Sequence, residues 1–120
     1  MQKKTLVLGA SLRDMKYSNT CVRTLQSANI PVVAIGIKEG NINSIPVVTG
    51  FQPLTDIQTV TLYLGPENQK MWYEYIIGLK PERVIFNPGT ENYEFMNLLK
   101  TNGISVIEDC TLMMVQYGRF

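Results

Sequence analysis

Five short apolar runs recur along the chain, separated by stretches whose apolar residues repeat at helical spacing. The runs are Thr5-Leu6-Val7-Leu8-Gly9, Pro31 to Gly36, Thr59 to Leu64, Arg83 to Phe86 and Ile104 to Ile107. Each is rich in Val and Ile, and the first two are almost continuously apolar. That pattern predicts strands buried on both faces of a parallel sheet. Between them, Cys21, Leu25 and Ala28 fall at i, i+4 and i+7, and Trp72, Tyr75, Ile76 and Leu79 form a second stripe. Phe95, Leu98 and Leu99 form a third. Each stripe predicts a helix lying on a sheet. Pro66 suits a first helical turn, Thr90 an N-cap, and Gly103 a C-terminal stop. Thr111 to Tyr117 reads as a short final helix. Alternation of strand and helix calls for right-handed crossovers. The expected fold is therefore α/β: a Rossmann-like, doubly wound, parallel five-stranded sheet with helices on both faces.

The irregular stretch is Lys38 to Asp56, which carries Gly40, Pro46, Gly50 and Pro53. It reads as a long connection with at most a turn of helix and one short extended piece, Ile45 to Val48. No composition break divides the chain, so residues 1–120 are expected to form a single domain. Apolar residues make up 45% of it, enough for one core without disulfides or metals. No apolar run reaches the roughly 18 residues that span a bilayer. The run from Thr5 to Ala10 is too short and too interrupted by glycine for a signal peptide, so a cytoplasmic location is expected.

A formal charge of +1 leaves no basic footprint for duplex nucleic acid. The two cysteines, Cys21 and Cys110, lack CxxC spacing and read as reduced thiols, with Cys21 on an apolar helical stripe in the core. Histidine is absent, which removes Ser-His-Asp and Cys-His nucleophile systems, histidine metal sites and a phosphohistidine.

In an open α/β sheet, ligands bind beyond the carboxyl ends of the strands. After the first run comes Gly9-Ala10-Ser11-Leu12-Arg13, whose small residues let backbone N–H groups approach an anion. It is neither GxGxxG nor GxxxxGK[ST], and a tight strand–helix turn needs Gly9 in any case. After the second run, Lys38 stands where a dinucleotide site usually places an acid. A cation there suits a ribose phosphate, although Glu39 keeps the acid reading open and Lys38 also reads as an ordinary surface lysine. After the third come Gly65 and Pro66, with no acid such as a phospho-accepting receiver needs. They offer a rigid wall, or simply start a helix. After the fourth come Asn87, Pro88 and Gly89, where Asn87 has an amide to offer; Glu91 and Glu94 complement a helix dipole. After the fifth, Glu108-Asp109-Cys110 groups reactive residue types without an evident base or metal partner.

Together these segments resemble the stand-alone CoA-binding domain family, relatives of the nucleotide-binding domain of the succinyl-CoA synthetase α subunit. The resemblance is carried by Val7-Leu8-Gly9-Ala10-Ser11, Lys16-Tyr17-Ser18-Asn19, Val33 to Gly40, Ile45-Pro46, Asn87-Pro88-Gly89 and Asp109-Cys110, and runs from about Leu6 to Met114. It implies a phosphate on the Gly9-Ala10-Ser11 turn, held by backbone N–H groups and the Ser11 hydroxyl, with Arg13 and Asn19 on the rim. It implies that Lys38 meets a CoA phosphate, and that Gly65-Pro66 and Asn87-Pro88 flank the pantetheine or adenine. The chain departs from the family pattern in two places. Gly36-Ile37-Lys38 stands where members often have Asn-Pro-Lys, and Gln116-Tyr117 where many carry Glu-His.

The function this implies is binding of coenzyme A or an acyl-CoA, a small nucleotide ligand, without catalysis by the chain itself. An NAD(P)-binding enzyme domain or redox sensor using the same turn is the alternative, and an interaction protein with a vestigial pocket is a third. The sequence names no protein partner.

Overall fold

The computed structural model describes residues 3–120; Met1 and Gln2 lie outside the described residues. The chain runs β1 (Lys4–Leu8), α1 (Tyr17–Ser27), β2 (Val32–Ile35), β3 (Gly40–Ile42), β4 (Ile45–Val48) and β5 (Ile57–Leu62). It continues with α2 (Pro66–Gln69), one 3₁₀ turn (Lys70–Trp72), α3 (Tyr73–Leu79), β6 (Arg83–Phe86), α4 (Tyr93–Thr101), β7 (Ser105–Glu108) and α5 (Thr111–Gln116). The strands form one sheet in the order β3-β4-β2-β1-β5-β6-β7. All pairings are parallel except β3 with β4.

The five expected strands are all present and parallel, so the doubly wound α/β class holds. The sheet nevertheless has seven strands, because the stretch after Lys38 contains a hairpin and not a bare connection. Asn43 and Ser44 join β3 to β4 with φ of 45° and 68°. Two consecutive positive φ values belong to the tight turn whose twist matches paired strands. β4 then lies parallel to β2, with Ala34 opposite Val47.

Burial on both faces follows directly from the strand sequences. Along β1, Leu6 and Leu8 join Val60, Leu62, Val84, Phe86, Trp72, Ile76, Phe95 and Leu99 on one face. Val7 points the other way, to Cys21, Val22 and Leu25 of α1 and to Ala34 and Val47. Each fully buried side chain of this size contributes about 1.5–3 kcal/mol. Helices α3 and α4 cover the first face; α1 and α5 cover the second.

Two helix boundaries differ from the pattern reading. The stripe through Trp72 and Ile76 is not one helix but α2, the 3₁₀ turn and α3, ended by Lys80 at φ 52°. The N-cap of α4 is Asn92, whose side chain accepts from Phe95 N–H, not Thr90. Asn87-Pro88-Gly89-Thr90 forms a turn first, with Gly89 at φ 92° and Thr90 N–H donating to Asn87 O. Proline second and glycine third suit a type II turn, so the helix starts two residues later. Leu98, expected on the α4 stripe, is 38% exposed, and Met96 is buried instead.

Candidate functional site

Strand order reverses at β1. One crossover leaves β1 along α1 toward β2; the next leaves β5 toward β6 over the opposite face. The crevice that opens between such crossovers lies at the carboxyl ends of the strands.

The turn after β1 is held on three sides. Gly9 has φ 97°, and a Cβ there would lie 3.0 Å from the Tyr63 carbonyl. A Cβ on Gly36 would lie 2.1 Å from Ala10 O, so the end of β2 accepts only glycine. Gly9 and Ala10 both donate their N–H to Ile35 O, at 2.9 Å each. Ser11 N–H donates to Ser18 Oγ (3.1 Å), and Asn19 Nδ2 donates to Ser11 O (2.9 Å). Asn19 Oδ1 in turn accepts from Arg23 Nε (2.9 Å).

These bonds change the roles expected of the turn. The N–H groups of Gly9, Ala10 and Ser11 are engaged inside the protein and hold the turn in shape. Asn19 is buried beneath it and not on its rim. Ser11 Oγ accepts from Arg13 N–H (3.1 Å), so its own proton is left to donate. The N-cap of α1 is Lys16, whose side chain caps nothing. The first amides of α1 are thus supplied by no side-chain cap.

Three cavities meet this region, one of them a space of about 630 Å³ bounded by Leu12, Arg13, Asp14, Met15 and Lys16 alone. A groove of about 390 Å³ is lined by Ala10, Ser11, Leu12, Arg13, Lys16, Ile37 and Lys38. It brings the turn after β1 together with the residues after β2, Lys38 among them. A pocket of about 290 Å³ is lined by Tyr17, Tyr63, Asn87, Pro88, Cys110 and Leu112. Of the other residues singled out in the sequence, Gly9, Asn19, Gly65, Pro66 and Gly89 line none of these cavities. Gly65 and Pro66 are exposed at the start of α2.

The Asn87 amide is wholly committed. Its Nδ2 donates to Thr61 Oγ1 (2.6 Å) and Leu62 O (2.8 Å), and its Oδ1 accepts from Thr111 N–H (2.9 Å). Asn87 therefore ties the ends of β5 and β6 to the start of α5. Sequence reasoning missed Leu12, Ile37, Tyr63 and Leu112. Ile37 carried a signal, being a bulky apolar residue among polar ones, and it is 97% exposed at the groove.

Near the pocket, burial pushes the Cys21 thiol up to about 11. Burial likewise pushes the Tyr63 phenol well above its ordinary value, with Cys21 and Thr61 beside it. The Tyr63 hydroxyl is buried and finds no hydrogen-bond partner. No group of metal-ligating side chains occurs among the described residues. No helix among them is long and apolar enough to cross a membrane.

A further groove, about 720 Å³, lies at the opposite ends of the strands, among Lys3, Pro31, Gln58, Arg83 and Phe120. Arg83 Nε donates there to Thr59 Oγ1 (2.9 Å), and the guanidinium stands 4.5 Å from the Phe120 ring centre. Desolvation lowers the Arg83 pKa from its ordinary value.

The model of the CoA binding domain family matches residues 3–116. The chain belongs to the CoA-binding domain family. A crystal structure described only as that of an uncharacterized protein superposes with TM-score 0.95 at 40% identity, covering 100% of this chain and 99% of the other. The structure of cell-free ID.343 from Thermus thermophilus matches at TM-score 0.85 and 22% identity, covering 99% and 91%. A hypothetical protein from Pyrococcus horikoshii OT3 matches at 0.87 and 19%, covering 97% and 83%. The last two share the fold. Among curated proteins, none matches the chain.

Proposed function

We propose that this CoA-binding domain, acting as a single ligand-binding unit, holds coenzyme A or an acyl-CoA and carries out no turnover of its own. The observation that carries the reading is the groove that places Lys38 beside Ser11, Arg13 and Lys16. These groups are cations and a hydroxyl with a free proton, the chemistry that holds phosphates. A pyrophosphate resting against Ser11, Arg13 and the start of α1 sends its adenosine ribose toward the end of β2. Coenzyme A carries a phosphate on that ribose, within the province of Lys38. The exposed Ile37 side chain offers an apolar surface to the adenine.

Calorimetry with CoA, dephospho-CoA, NAD and NADP tests this. CoA binds tightest, and Lys38→Glu weakens CoA roughly tenfold more than dephospho-CoA, equivalent to about 1.4 kcal/mol. That is within the range of a hydrogen bond to a charged group. Tighter binding of NAD than of CoA, or equal loss for CoA and dephospho-CoA, rejects it.

A further inference from the structure

The pocket between Tyr63 and Cys110 is lined by no cationic side chain. Its lining is mostly apolar: Tyr17, Tyr63, Pro88 and Leu112, with the committed Asn87 amide and the Cys110 thiol. Cys110 is held firmly in place. The residue after it, Thr111, gives its N–H to Asn87 Oδ1 at the end of β6, and its hydroxyl pairs with Thr61 Oγ1 of β5 at 2.8 Å. The Cys110 N–H is itself bound to Asp109 Oδ1 (2.7 Å). The thiol is half-buried and free, whereas Cys21 is sealed in the core. Tyr63, in the wall of the same pocket, carries the only unmatched buried side-chain polar atom among the described residues.

We infer that this pocket receives the sulfur end of the ligand and that Cys110 forms a mixed disulfide with it; the inference rests on the CoA reading. Parallel strands lie about 4.8 Å apart. From the turn after β1 to the end of β6 is two strand steps, roughly 10 Å. The pantetheine arm is about as long as four extended residues, roughly 14 Å. An arm leaving a pyrophosphate on the β1 turn therefore passes the end of β5 and brings its sulfur beside Cys110.

The chemistry is thiol–disulfide exchange with the symmetrical disulfide of CoA as co-reactant. The Cys110 thiolate attacks one sulfur of that disulfide, an S–S bond to Cys110 forms, and the original S–S bond breaks. One CoA leaves as the thiolate and takes up the proton that Cys110 lost. The oxidation level is conserved, and a thiol reductant reverses the step.

The test is intact-mass spectrometry of the full chain after incubation with CoA disulfide, with calorimetry of CoA on the same preparation. One CoA adds per chain, maps to Cys110, is released by dithiothreitol, and fails to form in Cys110→Ser of unchanged far-UV dichroism. Oxidised glutathione at equal concentration reacts at least tenfold more slowly. Protein that binds CoA in the calorimeter but forms no adduct overturns the inference and leaves the CoA reading standing. An adduct on Cys21, or equal rates with oxidised glutathione, also overturns it. Protein that neither binds CoA nor forms the adduct rejects both.

Discussion

Cys21 and Cys110 show how one residue type takes two fates from its surroundings. Cys21 lies against Val7, Val22 and Leu25, where an anion has no solvent, and its thiol rises from near 9 to about 11. The sign of the consequence follows. Below pH 9 both folded and unfolded chains keep the proton. Between pH 9 and 11 the unfolded chain loses it while the folded chain holds it, so stability falls as pH rises, by about 3 kcal/mol over the window. Urea unfolding at several pH values from 8.5 to 11 should show this, and Cys21→Ala should show a shallower decline. Parallel curves for the two proteins would contradict the assignment. The unfolded Tyr63 phenol begins to titrate near pH 10, and part of its shift in the folded chain comes from Cys21, so the comparison that isolates Cys21 is the one between pH 8.5 and 10. Asn19 and Asn87 teach the same lesson for amides. Each was a candidate for meeting a ligand, and each has both ends of its amide engaged within the protein.

At the scale of elements, capping decides where α4 begins. Asn92 Oδ1 caps Phe95 N–H, while Asn92 Nδ2 donates to Gln69 Oε1 (3.0 Å) and Tyr73 Oη (2.8 Å). Gln69 is fully buried and ties α2 to the turn before α4 through Leu64 O and Thr90 O. Asn92→Ala removes a cap and strands a buried acceptor, a loss of roughly 2 kcal/mol. Thr90→Ala removes only the bond from Thr90 Oγ1 to Asn87 O, about 1 kcal/mol. Chemical denaturation should rank Asn92→Ala as the more destabilising; the reverse order would restore Thr90 as the cap. The hairpin β3–β4 escaped the pattern reading for two reasons. Pro46 within β4 lacks a donor, which argues against an interior strand. Asn43-Ser44 is also a weaker turn signal than Asn-Gly, although both residues adopt positive φ.

At the scale of the whole molecule, the sheet has two chemically distinct ends. The carboxyl ends carry the groove of Lys38 and the pocket of Cys110. The opposite ends carry Arg83, held over Phe120 and bonded to Thr59. Arg83→Ala should lower stability by about 1–2 kcal/mol through these two contacts. It should leave CoA affinity unchanged, because the groove proposed for CoA lies at the other end. Thermal unfolding and calorimetry on the one variant check both halves; a matching loss of CoA affinity would place the ligand elsewhere.

The sequence alone determined the parallel central strands, the helices on both faces, the tight turn at Gly9 and the buried Cys21. These rest on period and on local backbone demands, which a residue and its near neighbours express directly. The neighbourhood of Lys38 and the β1 turn was also legible, since topology requires adjacent strands to end together. Only the tertiary structure decided which polar groups remain free for a ligand. Ser11 N–H is taken by Ser18 seven residues on, and the Asn87 amide by Thr61 and Thr111, 26 and 24 residues away. The close approach of Gly36 to Ala10 O likewise joins residues from different strands. A hydrogen-bond partner is set by where folding brings the chain, and no pattern along the sequence carries that distance.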